Sequence, residues 1–107
     1  HGSINTDSHK TMPVSHASME EMHAKDLKPF IELIKKELLN AVMPAHVTYT
    51  HVDADNPAGF SAIWLQEILR NQLNFKGLVL SDCLSMTGAD VGNLMTRTEA
   101  ALKAGCD

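Results

Sequence analysis

Leu78-Val79-Leu80-Ser81-Asp82, entered through Gly77, is the clearest strand in the chain, apolar from its start until it closes on a carboxylate. A run of this kind predicts a strand covered on both faces, as in parallel α/β folds. Working outward, Asn40-Ala41-Val42-Met43-Pro44-Ala45 reads as a second buried strand that ends at Pro44. Between the two, Ser61 is placed to cap a helix through Leu73, with Trp64, Leu65, Ile68 and Leu69 facing inward. Ser18-Met19-Glu20-Glu21 fits a capping box and predicts a helix from Met19 to about Lys25. Pro29 cannot sit deep inside a helix, so a separate helix is read from Pro29 to about Leu39, with Phe30, Leu33, Ile34 and Leu38 as its apolar face. Thr96-Arg97-Thr98-Glu99 reads as a second capping box, opening a helix that Gly105 ends. Residues 1–17, His46 to Gly59 and Gly88 to Met95 read as loops.

Strands alternating with helices predict parallel βα units. Only two strands are complete, and Cys106-Asp107 would begin a third. Two parallel strands are a poor core for a domain of this length, so the chain reads as a segment of a larger α/β fold. Both ends look cut, since the first residue is His1 and the last is Asp107.

The bulk composition narrows the function. With 107 residues, 44% hydrophobic and 21% charged, the chain is globular rather than disordered. Nine basic against thirteen acidic residues give a net charge of −4, which argues against a nucleic-acid binder. No apolar run approaches the roughly 20 residues of a membrane span, and no signal peptide is seen. Cys83 and Cys106 have no CxxC spacing and read as reduced thiols, with a disulfide as the alternative.

Two places could carry chemistry. Asp82 stands at the C-terminal end of a buried strand, the edge where parallel α/β folds place their active sites; the alternative is a helix-capping or loop-stabilising carboxylate. Asp7-Ser8-His9 sets a carboxylate two residues from an imidazole. An Asp accepting from one ring nitrogen fixes the tautomer and leaves the other nitrogen for proton transfer; the alternative is a solvated loop. His1, His9, His16 and His23 recur every seven or eight residues, but a zinc site needs converging ligands with a supporting shell, and these span a loop and a helix start. No metal and no cofactor is expected.

Several segments, in order, resemble glycoside hydrolase family 3, and within it the bacterial β-N-acetylglucosaminidases of peptidoglycan recycling. They are His1-Gly2, Asp7-Ser8-His9-Lys10 with Pro13, Asp26-Leu27-Lys28-Pro29-Phe30, Ala41-Val42-Met43-Pro44-Ala45-His46-Val47, Pro57-Ala58-Gly59-Phe60-Ser61, Ser81-Asp82-Cys83-Leu84-Ser85-Met86 and Ala104-Gly105-Cys106-Asp107. The resemblance implies that residues 1–107 form the C-terminal segment of a single (β/α)8 TIM barrel, about strands 6 and 7 with flanking helices up to the start of strand 8, with residues 1–17 as its catalytic loop. It implies Asp82 as nucleophile, His9 as proton donor and acceptor, and Asp7 as the group that orients His9. The implied substrate is an N-acetylglucosamine-containing muropeptide in the bacterial cytoplasm. The implied partner is the remaining N-terminal part of the barrel, with no nucleic acid and no membrane involved. Cys83 departs from the family pattern, which has a second Asp there. The family's sugar-binding residues lie mostly upstream of His1, so the chain alone is expected to be inactive. A phosphorylase of the same family and a non-catalytic excised fragment are the rival readings.

Overall fold

The computed structural model describes residues 2–107; His1, with its part in the His1-Gly2 match and in the histidine spacing, lies outside the described residues. The order begins with strand β1 (Val14–Ser15), helices α1 (Met19–Ala24) and α2 (Lys28–Lys35), and strands β2 (Ala41–Val42) and β3 (Thr48–Tyr49). A 3-10 turn (Ala58–Phe60), a π-helix (Ile63–Gln72), strand β4 (Leu78–Val79), a second 3-10 turn (Thr87–Ala89) and helix α3 (Leu94–Ala104) follow.

Local chemistry explains most boundaries. Ser18 accepts from the Glu21 N–H while Glu21 accepts from the Ser18 N–H, the reciprocal box that starts α1. Pro29 falls in the first turn of α2, where its missing N–H has no intrahelical partner to lose. That helix stops at Lys35, four residues short of the expected Leu39. Glu37 turns to φ 55°, and the Leu38 and Glu37 amides bond back to the Leu33 and Ile34 carbonyls. This is the left-handed helix ending that glycine or asparagine usually supplies, so nothing in the composition around Glu37 announced it. The last helix begins at Leu94, because the Asn93 side chain accepts from the Thr96 N–H and caps it ahead of the Thr96 box. Gly105, at φ 121°, closes it as expected.

The strands form two separate two-stranded parallel sheets. β1 pairs with β3 (Val14 opposite Thr48, Ser15 opposite Tyr49), and β2 pairs with β4 (Ala41 opposite Leu78, Val42 opposite Val79). The Asp107 N–H donates to the Val79 carbonyl at 2.9 Å, on the far side of β4. The expected C-terminal (β/α)8 barrel segment is corrected here: the chain is a small mixed α/β unit without a continuous sheet. Its strands are two residues long; Pro44 has no N–H to carry β2 onward. The expectation that the 78–82 strand is covered on both faces also fails. Val79 is fully buried, but Leu78 and Leu80 are exposed. The face expected on α2 is likewise open, with Phe30, Leu33 and Leu38 exposed. Val14–Ser15 and Thr48–Tyr49 fall in stretches read as loops, since strands of two residues show no periodicity of their own.

The main core gathers Met22, Trp64, Leu65, Ile68, Phe75 and Val79, with Tyr49 set edge-on to Trp64 at 5.1 Å. The Ser61 hydroxyl does act as a cap, accepting from the Trp64 N–H at 3.2 Å while donating to Asp53 at 2.7 Å. The helix it introduces is wound more widely than an α-helix: the Leu73 N–H reaches the Ile68 carbonyl, five residues back. A second cluster, Phe60, Ala89 and Ala101, lies under the segment that follows Asp82.

Candidate functional site

Asp7 and His9 are in contact. One carboxylate oxygen of Asp7 accepts from the His9 main-chain N–H at 2.9 Å and lies 3.0 Å from His9 Nδ1. The Asp7 carbonyl accepts from the Lys10 and Thr11 amides, winding the loop into a tight turn. Two bonds on one oxygen leave the imidazole little freedom, and with Nδ1 donating to Asp7 the free nitrogen is Nε2. The bond from the His9 amide, followed by that from its ring, holds the Asp7 carboxyl below its ordinary value. The two side chains keep 49% and 71% of their surface in solvent. The contact is therefore well screened, and it orients the ring far more than it stabilises the fold.

Asp82 lies just beyond β4, half-buried, with one carboxylate oxygen accepting from the Cys83 N–H at 2.7 Å. No hydrogen bond or ion pair joins it to Asp7 or His9 among the described residues. The two segments are joined instead through the turn that follows Asp82. The Gly88 N–H donates to the Ser8 carbonyl at 2.9 Å, and the Thr87 hydroxyl donates to the His9 carbonyl at 3.1 Å. Ser8, between the dyad residues, is buried. Gly88 is the only residue that fits there: a Cβ would stand 2.9 Å from the His46 carbonyl and 3.2 Å from that of Ser8. Arg97 ties down the same turn, donating to the Leu84 carbonyl and pairing with Asp90 at 2.7 Å.

Cys83, beside Asp82, is exposed, and its sulfur lies 2.9 Å from the Ser85 hydroxyl; that bond lowers the thiol's pKa. Both cysteines are free. Of the spaced histidines, His16 meets Thr50 at 3.0 Å rather than His9. No group of three or more His, Cys, Asp or Glu side chains able to hold a metal occurs among the described residues. None of their helices is long and apolar enough to cross a membrane.

Sequence reasoning passed over His46. Its ring is completely buried and stacks on Phe60 with centroids 4.9 Å apart. Neither ring nitrogen has a hydrogen-bond partner among the described residues. Burial drives its pKa down, while the nearby Asp82 carbonyl works in the other direction. The available signal was a histidine inside an otherwise apolar run, but only the tertiary contacts show what it faces.

The family described as the glycosyl hydrolase family 3 N terminal domain matches residues 1–107. A β-hexosaminidase of Psychromonas ingrahamii is 55% identical over 108 residues, covering all of this chain and 32% of that protein. Among solved structures, CbsA from Thermotoga neapolitana superposes with a TM-score of 0.92 at 40% identity, over 99% of this chain and 24% of that one. NagZ from Neisseria gonorrhoeae, in complex with N-trifluoroacetyl-D-glucosamine, superposes with a TM-score of 0.84 at 44% identity, over 100% of this chain and 30% of that one. The chain thus spans about a third of the length of the curated relatives it matches. The matched domain is the family's N-terminal one, which overturns the placement of this chain as a C-terminal barrel segment.

Proposed function

Because the chain belongs to glycoside hydrolase family 3, we propose that it carries the catalytic groups of a retaining exo-β-N-acetylglucosaminidase. The substrate is terminal β-linked N-acetylglucosamine on muropeptides of peptidoglycan recycling. The observation that carries this reading is the Asp7–His9 pair, hydrogen-bonded at 3.0 Å and tied through Ser8 to the turn after Asp82. The β-hexosaminidase relatives and the sugar-bound neighbour support the substrate class.

In the first step an Asp82 carboxylate oxygen attacks the anomeric carbon. The bond to the leaving oxygen breaks, and His9 Nε2 gives that oxygen its proton. In the second, water attacks the same carbon, its proton passes to Nε2, and the Asp82 carboxylate is released with configuration retained. Most retaining enzymes place two carboxylates about 5–5.5 Å apart; here an imidazole takes the place of one. Asp7 holds the ring in one orientation for both steps.

The test is turnover by the complete protein of an aryl N-acetyl-β-glucosaminide and of a muropeptide, with and without inorganic phosphate. Free N-acetylglucosamine, first released as the β-anomer at a rate independent of phosphate, is expected. A sugar 1-phosphate formed only with phosphate present would instead establish a phosphorylase, and no turnover of either substrate would remove the reading. The 107-residue chain alone is expected to give no measurable turnover of the aryl substrate, and a rate within tenfold of the complete protein would overturn that. The chain lacks the remainder of the polypeptide that would hold the sugar, and positioning supplies up to about 7–11 kcal/mol of a barrier.

A further inference from the structure

His46 is a buried polar side chain to which the proposed mechanism gives no task. His46 is 0% exposed, and Gly59 gives it room: a Cβ there would stand 2.7 Å from Nδ1. A buried donor left unpaired is destabilising. An apolar side chain of similar size beside Phe60 would avoid that cost, so the nitrogens call for a role. The main chain that faces the ring belongs to Asp82 and Cys83, whose carbonyls both favour its protonated form; Arg97 opposes it, and burial outweighs them all. Burial thus favours the neutral ring, which has one N–H to give. Behind the ring, the His46 Cβ and carbonyl abut Gly88, the residue whose N–H holds Ser8. One residue thus abuts the anchor of the Asp7–His9 loop and lies near the main chain of Asp82.

We propose that His46 is a positioning residue for the glycosidase reaction, an inference that rests on the function proposed above. In the complete protein its imidazole closes the hydrogen bond that neither ring nitrogen makes here, giving one N–H to the Asp82 or Cys83 carbonyl, and so fixes the Asp82 carboxylate relative to His9. A misplacement of about 1 Å at the reacting atom can cost about 100-fold in rate.

The complete protein is the material for the test, with His46→Leu and His46→Gln as variants. His46→Leu is expected to lower kcat per titrated active site by about 10- to 100-fold, with KM within threefold. The loss should be the same for natural and activated aryl leaving groups, because the residue acts through Asp82 and not through the acid. Inactivation by a 2-fluoro glycosyl probe should slow in the same proportion. His46→Gln, which keeps an N–H, should recover part of the loss. A merely structural role would lower the melting temperature or the number of active sites and leave kcat per site alone. Should His46→Leu fail to fold, nitrogen-15 spectra of the wild-type protein decide: one His46 ring N–H should be protected from exchange and hydrogen-bonded. A kcat per site within threefold of wild type, or no protected ring N–H, overturns the proposal. Labelling of a residue other than Asp82 in the wild type would overturn the proposed nucleophile instead, and the ring N–H measurement would still stand by itself.

Discussion

Asp82→Ala in the complete protein is expected to lower turnover by roughly four orders of magnitude or more, the scale on which a covalent nucleophile acts. At about 1.36 kcal/mol per tenfold, that is some 5 kcal/mol of barrier from one carboxylate. Folding should hardly change, because the hydrogen bond the carboxylate makes is local, from the adjacent Cys83 N–H. The melting temperature should stay within a few degrees while activity disappears. A 2-fluoro glycosyl probe should trap the sugar on Asp82, read by peptide mass spectrometry. Recovery of the label on any other residue would remove Asp82 from the mechanism whatever the mutant's activity.

His9→Ala should divide substrates by leaving group. A poor, sugar-like leaving oxygen needs the proton, and loss of a general acid costs about 10²- to 10⁴-fold. An activated aryl leaving group departs without it, so its first step should slow by less than about tenfold. The second step still lacks its base, and the glycosyl-enzyme should accumulate, giving a burst of phenol. Azide, an anion that needs no deprotonation, should restore turnover by releasing the sugar as its azide. Asp7→Asn should show a weaker form of the same pattern, since it removes the carboxylate that orients the ring and keeps the ring itself. Equal losses on both classes of substrate, with no burst, would reduce His9 to a sugar-positioning group.

The sequence was readable where a feature is local. The Ser18–Glu21 box, the placement of Pro29 and the Gly105 terminus each depend on residues within one helical turn, and each stands in the structure. The Asp7–His9 contact was readable for the same reason, as the two side chains meet across a single residue. Features set by distant partners were not. β1 exists only because Ser15 and Thr48–Thr50 come together across more than thirty residues. Leu78 and Leu80 are apolar, yet nothing among the described residues covers them, so hydrophobicity alone overstated the burial of that strand. The end of α2 at Glu37 was missed because its left-handed backbone does not carry the usual glycine. His46 was passed over because its environment is assembled from Phe60, Gly59, Gly88 and the Asp82–Cys83 main chain, none adjacent to it in sequence.

The bond from the Gly88 amide to the Ser8 carbonyl also makes that amide a clock. Its hydrogen can be traded for deuterium only when the Asp7–His9 loop lets go of the turn after Asp82, so its exchange rate counts departures of the proposed acid/base from its station. A substrate analogue that draws the loop inward would stop the clock, and one that props the loop open would make it run fast. Ligands could then be sorted by what they do to the loop, without any bond being cleaved.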